Sequence, residues 1–258
     1  MKSSISVIIP ALNEEANLAA TIDLVASSVS SRFLDYELIV VNDGSQDSTA
    51  EVANTLARHN RRIRVVHHFG NMGLGYSFRE GVELANMDYI GWLPGDSNGI
   101  FTQDDVDGVF DAVGKADFVL IFLSADYRTR LRRNLSRGFV RGMNLLFGMN
   151  VKYFNAANFF RRGLIKQMTD GSDGYGLFSG ILIRLVRSGC SYVEVGVANR
   201  DQDNSSKALQ LKNLLQVVKA VLQLVWEVRI VPSERMGPLD TETLETWRDR
   251  RQPSLSEA

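Results

Sequence analysis

ISVIIPALNEEAN (Ile5–Asn17) and ELIVVNDGSQDST (Glu37–Thr49) each open as an apolar run and finish abruptly in carboxylates, amides and hydroxyls. An uninterrupted apolar run is how a strand buried on both faces of a parallel sheet reads. The carboxyl ends of such strands are where open α/β sheets bind ligands. Two runs that end in Asn, Glu, Asp and Ser therefore predict one polar pocket at one edge of a sheet. Strand-like runs recur at Ile63–His67, Tyr89–Leu93 and Phe118–Leu123, and helix-like stretches lie between them near Asn17–Ser28, Ser48–His59, Tyr76–Asn86 and Asp104–Val113. This alternation predicts an α/β fold with a doubly wound, mostly parallel sheet.

Composition narrows the function. The 258 residues suffice for one α/β domain with additions, and 45% hydrophobic residues provide a real core. A net charge of −1 gives no global electrostatic case for nucleic acid. Cys190 is the single cysteine, so no intrachain disulfide can form, and a reducing, cytoplasmic compartment is the simplest home. The apolar stretch at the N-terminus is too short for a secretory signal, and no uninterrupted apolar run is long enough to span a membrane.

The polar strand ends carry the chemistry. Asn42–Asp43–Gly44–Ser45 suits a tight turn, and the same residues can hold a ligand. In GNMGLGYSFREG (Gly70–Gly81), Gly73 and Gly75 permit close backbone approach, and the start of the following helix favours a phosphate. The spacing departs from G-x-G-x-x-G and the segment follows the third strand, which disfavours a dinucleotide dehydrogenase. In WLPGDSNG (Trp92–Gly99), Asp96 can give a carboxylate and Asn98 a carbonyl to a hard divalent cation. Asp104 and Asp105 suit the first turn of a helix. His59, His67 and His68 show no metal-ligand spacing and read as incidental. No G-x-S-x-G nucleophile elbow is present.

The second half has two further features. Tyr127–Arg141, YRTRLRRNLSRGFVR, is dense in arginine and reads either as a solvated helix face or as a surface for phosphates or anionic lipid headgroups. In Lys207–Arg229, the residues Lys212, Gln216, Lys219, Gln223 and Glu227 form one polar stripe on an otherwise apolar helix. That helix suits packing on the catalytic domain, a second copy of the chain, or a membrane interface with Trp226 near headgroup level. The division is a catalytic domain over 1–206, an amphipathic helical extension over 207–231 and a tail over 232–258.

PALNEE, VNDGSQDST, the glycine-rich segment and the Asp-Ser-Asn turn resemble family 2 glycosyltransferases, which have the GT-A fold and use nucleotide-sugar donors. The resemblance runs to about Lys219 and is most like the dolichol-phosphate mannose synthase type and the bacterial polyprenyl-phosphate glycosyltransferases. It implies that Pro10, Ala11, Asn13 and Glu14 line the nucleotide pocket, that Asp43 accepts from the base, and that Gly73 and Arg79 approach the diphosphate. It implies a Mg²⁺ or Mn²⁺ ion on Asp96 and Asn98, and catalytic roles for Asp96 and Arg200. Arg130, Arg132, Arg133, Ser205 and Lys207 would contact acceptor or donor phosphate, Arg200, Ser205 and Lys207 falling in VANRDQDNSSK, which resembles the family's Arg…Ser-Lys segment without its Gly. Family acids appear here as Asn42, Asn98 and, within VKYFNAANFFRR, Asn155. The implied function is inverting transfer of a sugar from a UDP- or GDP-sugar to a polyprenyl-phosphate acceptor in cell-surface glycan biosynthesis, peripherally on the cytoplasmic face of an anionic membrane. The alternatives are a soluble or growing glycan acceptor, or a non-catalytic nucleotide-sugar-binding scaffold, which the three Asn positions favour.

Overall fold

The computed structural model describes residues 3–126, 129–154, 158–167, 176–199, 221–222 and 224–226. Four parallel strands come first: β1 (Ser4–Ala11), β2 (Asp35–Asn42), β3 (Ile63–His67) and β4 (Tyr89–Trp92). Helices α1 (Leu18–Arg32), α2 (Thr49–His59) and α3 (Leu74–Leu84) connect them. The predicted strands and helices are thus present, with boundaries moved by a few residues. Val7, Ile8 and Ile9 of β1 and Leu38 to Val41 of β2 are fully buried, as expected of strands covered on both faces.

After β4 come the short α4 (Ser97–Ile100), α5 (Gln103–Ala112), β5 (Phe118–Asp126) and the long α6 (Arg130–Phe147). Then follow β6 (Asn158–Arg161), α7 (Arg162–Lys166), α8 (Leu177–Arg187) and β7 (Tyr192–Asn199). Asp105 sits in the first turn of α5, where it forms a capping box with Thr102. The seven strands form one sheet in the order β3-β2-β1-β4-β6-β5-β7. β6 pairs antiparallel with both β4 and β5. Two reversals restore the original direction, so β5 and its parallel partner β7 end at the same edge as β1 to β4.

One face of the sheet carries α1, α2 and α5, the other α3 and α7. α8 joins the α3 layer, where Phe178 packs on Phe78 and stacks on Trp92. Within the predicted 207–231 helix, Val221, Leu224 and Val225 pack on the core, while Leu222 and Trp226 are exposed. Among the described residues no helix is long and apolar enough to cross a membrane.

Candidate functional site

The ends of β1 and β2 are level, Ala11 facing Asn42, so their loops leave the sheet side by side. Side chains lace the two loops together. Asn13 receives the amide of Gln46 on its side-chain oxygen and donates its own amide to Ser45 Oγ. Its positive φ of 58° is one that asparagine tolerates. Glu14 donates its amide to Thr49 Oγ1, and Glu15 accepts from the Ser48 amide. Pro10 and Ala11 are buried strand residues whose carbonyls accept from Gly95 and Asp43. They form the stem on which the β2 and β4 loops sit.

Asp43 lies at the centre, 5% exposed. Its Oδ1 accepts from the Met72 amide at 2.7 Å and its Oδ2 from the Gly73 amide at 2.9 Å. Gly73 is the N-cap of α3 and has a φ of 92°. The amides at the start of α3, which the sequence offers to a phosphate, are thus given to a carboxylate of the protein itself, an anion well suited to a helix N-terminus. Gly44 makes this approach possible: a Cβ there would lie 2.4 Å from the Gly70 carbonyl carbon. Arg79 lies further along α3, its guanidinium 5.9 Å from the Tyr76 ring centroid.

His68 completes the cluster, contrary to its expected incidental role. Its Nδ1 is 2.8 Å from Asp43 Oδ1 and its Nε2 is 2.6 Å from Glu80 Oε2, and its side chain is 6% exposed. Burial works against its charged form, but the two carboxylates outweigh it and hold its proton above the ordinary histidine range. The sequence signal was there in principle: Glu80 sits twelve residues on, nearly two turns into the helix that the glycine segment opens. Only the β2 loop, however, brings Asp43 to the other side of the ring.

Asp96 stands at the N-cap position of α4, where β4 leaves the sheet, without a side-chain capping hydrogen bond. Asn98 turns toward α1, its Oδ1 accepting from Thr21 Oγ1 at 3.0 Å. Glu14 shares the electrostatic neighbourhood of Asp96. Burial pushes the Glu14 carboxyl up, the Asn17 amide opposes this, and the charges of Asp96 and Asp47 add to the rise. Among the described residues no group of three or more His, Cys, Asp or Glu side chains is arranged to hold a metal by itself. A divalent cation that bridges diphosphate oxygens needs just one or two protein carboxylates. Asp96, with Glu14 in its electrostatic neighbourhood, would offer carboxylates of that kind.

At the end of β5, two strands along from β4, a cavity of about 400 Å³ opens against α6. Arg133, Arg137 and Arg141, one helical turn apart, line it with Lys152, Ser136 and Tyr153. α6 itself contains no acidic residue. Of the three arginines expected at a phosphate, Arg133 reaches this cavity, and Arg130 and Arg132 are not among its lining. Leu131 and Leu135 are exposed on the other side of the helix, and the exposed Leu145 continues the arginine row by one turn. Arg200, Ser205 and Lys207 lie outside the described residues, as does Asn155.

Residues 6–185 match the family described as Glycosyl transferase family 2. The chain is 34% identical over 116 residues to the uncharacterized glycosyltransferase EpsJ of Bacillus subtilis (strain 168), covering 43% of this chain and 33% of that protein. It is 30% identical over 165 residues to the PGL/p-HBAD biosynthesis glycosyltransferase of Mycobacterium tuberculosis (strain ATCC 25177 / H37Ra), covering 62% and 59%. The chain thus spans between a third and about three-fifths of the length of these relatives. Its fold is similar to that of glucosyl-3-phosphoglycerate synthase from Mycobacterium tuberculosis in complex with UDP, with a TM-score of 0.67 and 22% identity over 86% of this chain and 80% of that one. The same synthase with Mn²⁺, UDP-glucose and phosphoglyceric acid superposes with a TM-score of 0.63 at 20% identity, over 86% and 80% of the two chains. At these identities the likeness is one of fold.

Proposed function

The chain belongs to glycosyl transferase family 2, and from that premise we propose that it transfers a sugar from a nucleoside-diphosphate donor to a small anionic acceptor. The observation that carries this is the pairing of two sites on one sheet edge. Acidic Asp96 and Glu14 lie at the end of β1 and β4, and the arginine-lined cavity lies at the end of β5. Strands lie about 4.8 Å apart, so two positions along the sheet separate them by roughly 10 Å. That distance is close to the span of a diphosphate and one sugar.

In this reading the β1 and β2 loops hold the nucleoside, with Pro10, Ala11, Asn13 and Asp43 framing its pocket. Gly73 and Arg79 border the diphosphate. Asp96 holds the cation, with Glu14 in support and Asn98 turned aside toward Thr21. A bound Mg²⁺ or Mn²⁺ supplies charge neutralisation on the departing diphosphate. Arg133, Arg137 and Arg141 orient the acceptor's anionic group by bidentate hydrogen bonds. The acceptor oxygen bonds to the anomeric carbon as the bond to the diphosphate oxygen breaks, and the nucleoside diphosphate leaves with the electron pair and inversion of configuration. An acceptor whose own oxyanion attacks needs positioning more than deprotonation. The synthase that shares this fold is known in a crystal complex with Mn²⁺, UDP-glucose and phosphoglyceric acid, which supports a soluble acceptor.

Release of UDP or GDP from UDP-glucose or GDP-mannose tests the reading, measured with Mn²⁺ or chelator and with or without phosphoglyceric acid as a trial acceptor. Metal-dependent release that rises with an anionic acceptor is expected. No release from any nucleotide sugar would leave a non-catalytic binding protein. A second reading places the acceptor phosphate on a polyprenyl lipid at the cytoplasmic face of the membrane. The exposed Leu131 and Leu135, on the side of α6 away from the arginine stripe, favour it. Sedimentation with anionic vesicles at low salt, lost at high salt, is its expected signature.

A further inference from the structure

We infer that His68 is a positioning residue, whose imidazolium ties Asp43 to Glu80 and so holds the glycine loop Gly70–Gly73 in the shape that receives the donor. The inference rests on the donor-pocket reading above and adds a control element to it. A histidine whose two ring nitrogens each meet a carboxylate oxygen, at 2.8 and 2.6 Å, donates from both and carries the charge. Asp43 Oδ1 accepts from both His68 Nδ1 and the Met72 amide, while Oδ2 accepts from the Gly73 amide. The imidazolium therefore acts on the loop through one carboxylate. It offsets the negative charge that Asp43 would otherwise carry buried, and fixes the rotamer that reaches both amides.

The surrounding groups are consistent with one function. The His68 amide donates to the Asn42 carbonyl, which anchors the residue at the end of β3 beside the Asp43 turn. Tyr76 of α3 meets the ring edge-on at 5.2 Å, with Arg79 beyond it on the Tyr76 face. Asp43 from the β2 loop and Glu80 from α3 are the carboxylates that face the ring, so β2, β3 and α3 converge on it. A residue needed for packing alone would not require both nitrogens to end on acids.

Loss of the proton breaks one of the two bonds. The sign follows from a raised folded value: the clamp is complete below the ordinary histidine range and is lost as pH climbs through the raised one. Loop order and nucleotide affinity should both follow this titration.

The test has two readouts from about pH 6 to about pH 9. The first is the amide shifts of Met72 and Gly73 by NMR without ligand. The second is the affinity for UDP, with GDP in parallel, by calorimetry. In the wild type both amides should move with the His68 ring signals, and affinity should fall about tenfold, the loss of one charge-assisted hydrogen bond. Glu80→Gln should move the midpoint to lower pH and keep tight binding in acid. His68→Gln should bind weakly with a flat profile. If the Met72 and Gly73 amides ignore the His68 titration, or His68→Gln keeps the wild-type pH profile, the inference is overturned. If the amides follow the titration but neither nucleotide binds, the clamp stands and the donor-pocket reading fails instead.

Discussion

Asp43 accepts from two backbone amides and an imidazole, so its replacement acts on the fold and on the ligand together. Asp43→Ala should destabilise the protein by about 1–3 kcal/mol, because the Met72 and Gly73 amides lose their acceptor, and should weaken UDP or GDP binding by about 1.5–3 kcal/mol. Denaturant melts and calorimetry separate the two losses, and unchanged binding in a folded Asp43→Ala protein would remove it from the pocket. Gly44→Ala should cost about 1–2 kcal/mol for the left-handed backbone alone, and more for the clash with Gly70. At the metal position, Asp96→Asn should remove the Mn²⁺ dependence of UDP binding while keeping the melting temperature. Asn98→Asp should change it little, since Thr21 holds that side chain toward α1. Equal losses from both changes would show that the two act as one ligand pair. Glu14 gives a pH prediction. Its carboxyl is raised in the folded state, so its ionisation opposes folding as pH rises above the ordinary glutamate value. Glu14→Gln should therefore raise the melting temperature near neutrality, and the gain should vanish in acid.

α6 is where one element carries several properties. Thr129 caps it by accepting from the Arg132 amide, and Gly148 in the left-handed conformation ends it. Met143 and Phe147 anchor one face in the core. Arg133, Arg137 and Arg141 recur every fourth residue beside that face, which points them along a single stripe into the cavity. Arg137→Gln with Arg141→Gln should raise the acceptor KM at least about tenfold, on the scale of one charged hydrogen bond, and leave nucleotide affinity unchanged. An equal loss of nucleotide affinity would mean that the stripe serves the donor. The arginine density was legible in the sequence, but its use was not. Helical periodicity groups the side chains into faces, and just the packing of Met143 and Phe147 decides which face meets β5. The segment around Leu224 shows the same limit. Its amphipathic pattern allowed membrane, subunit or core, and Leu224 packs against Gly180 of α8. Leu224→Ala should cost about 2–3 kcal/mol, read by denaturant melts.

Across the whole molecule, ligands should act on the sheet edge as a unit. Loops from β1, β2, β3 and β4 converge there, so nucleotide with Mn²⁺ should raise the melting temperature by more than the sum of the two separate shifts. A ligand at about a hundred times its dissociation constant adds about 2.7 kcal/mol. Additive shifts from separate binding would argue against a shared site. The amino-acid sequence by itself determined the alternation of buried strands and amphipathic helices through β5, because two-sided burial demands continuous apolar runs and local spacing records it. It also determined that polar strand ends would lie at one edge, since parallel strands share a direction. It did not determine β6, whose four residues, NFFR, are too short to show a period and which inserts antiparallel between β4 and β5. Nor did it determine that Asp43, His68 and Glu80 would meet. These residues come from three elements separated by 25 and 12 positions along the chain. The register of β2 against β3 and the docking of α3 against β1 and β2 bring them within hydrogen-bonding distance. Sequence spacing encodes contacts within an element, whereas a contact between elements exists only once packing has chosen their relative positions.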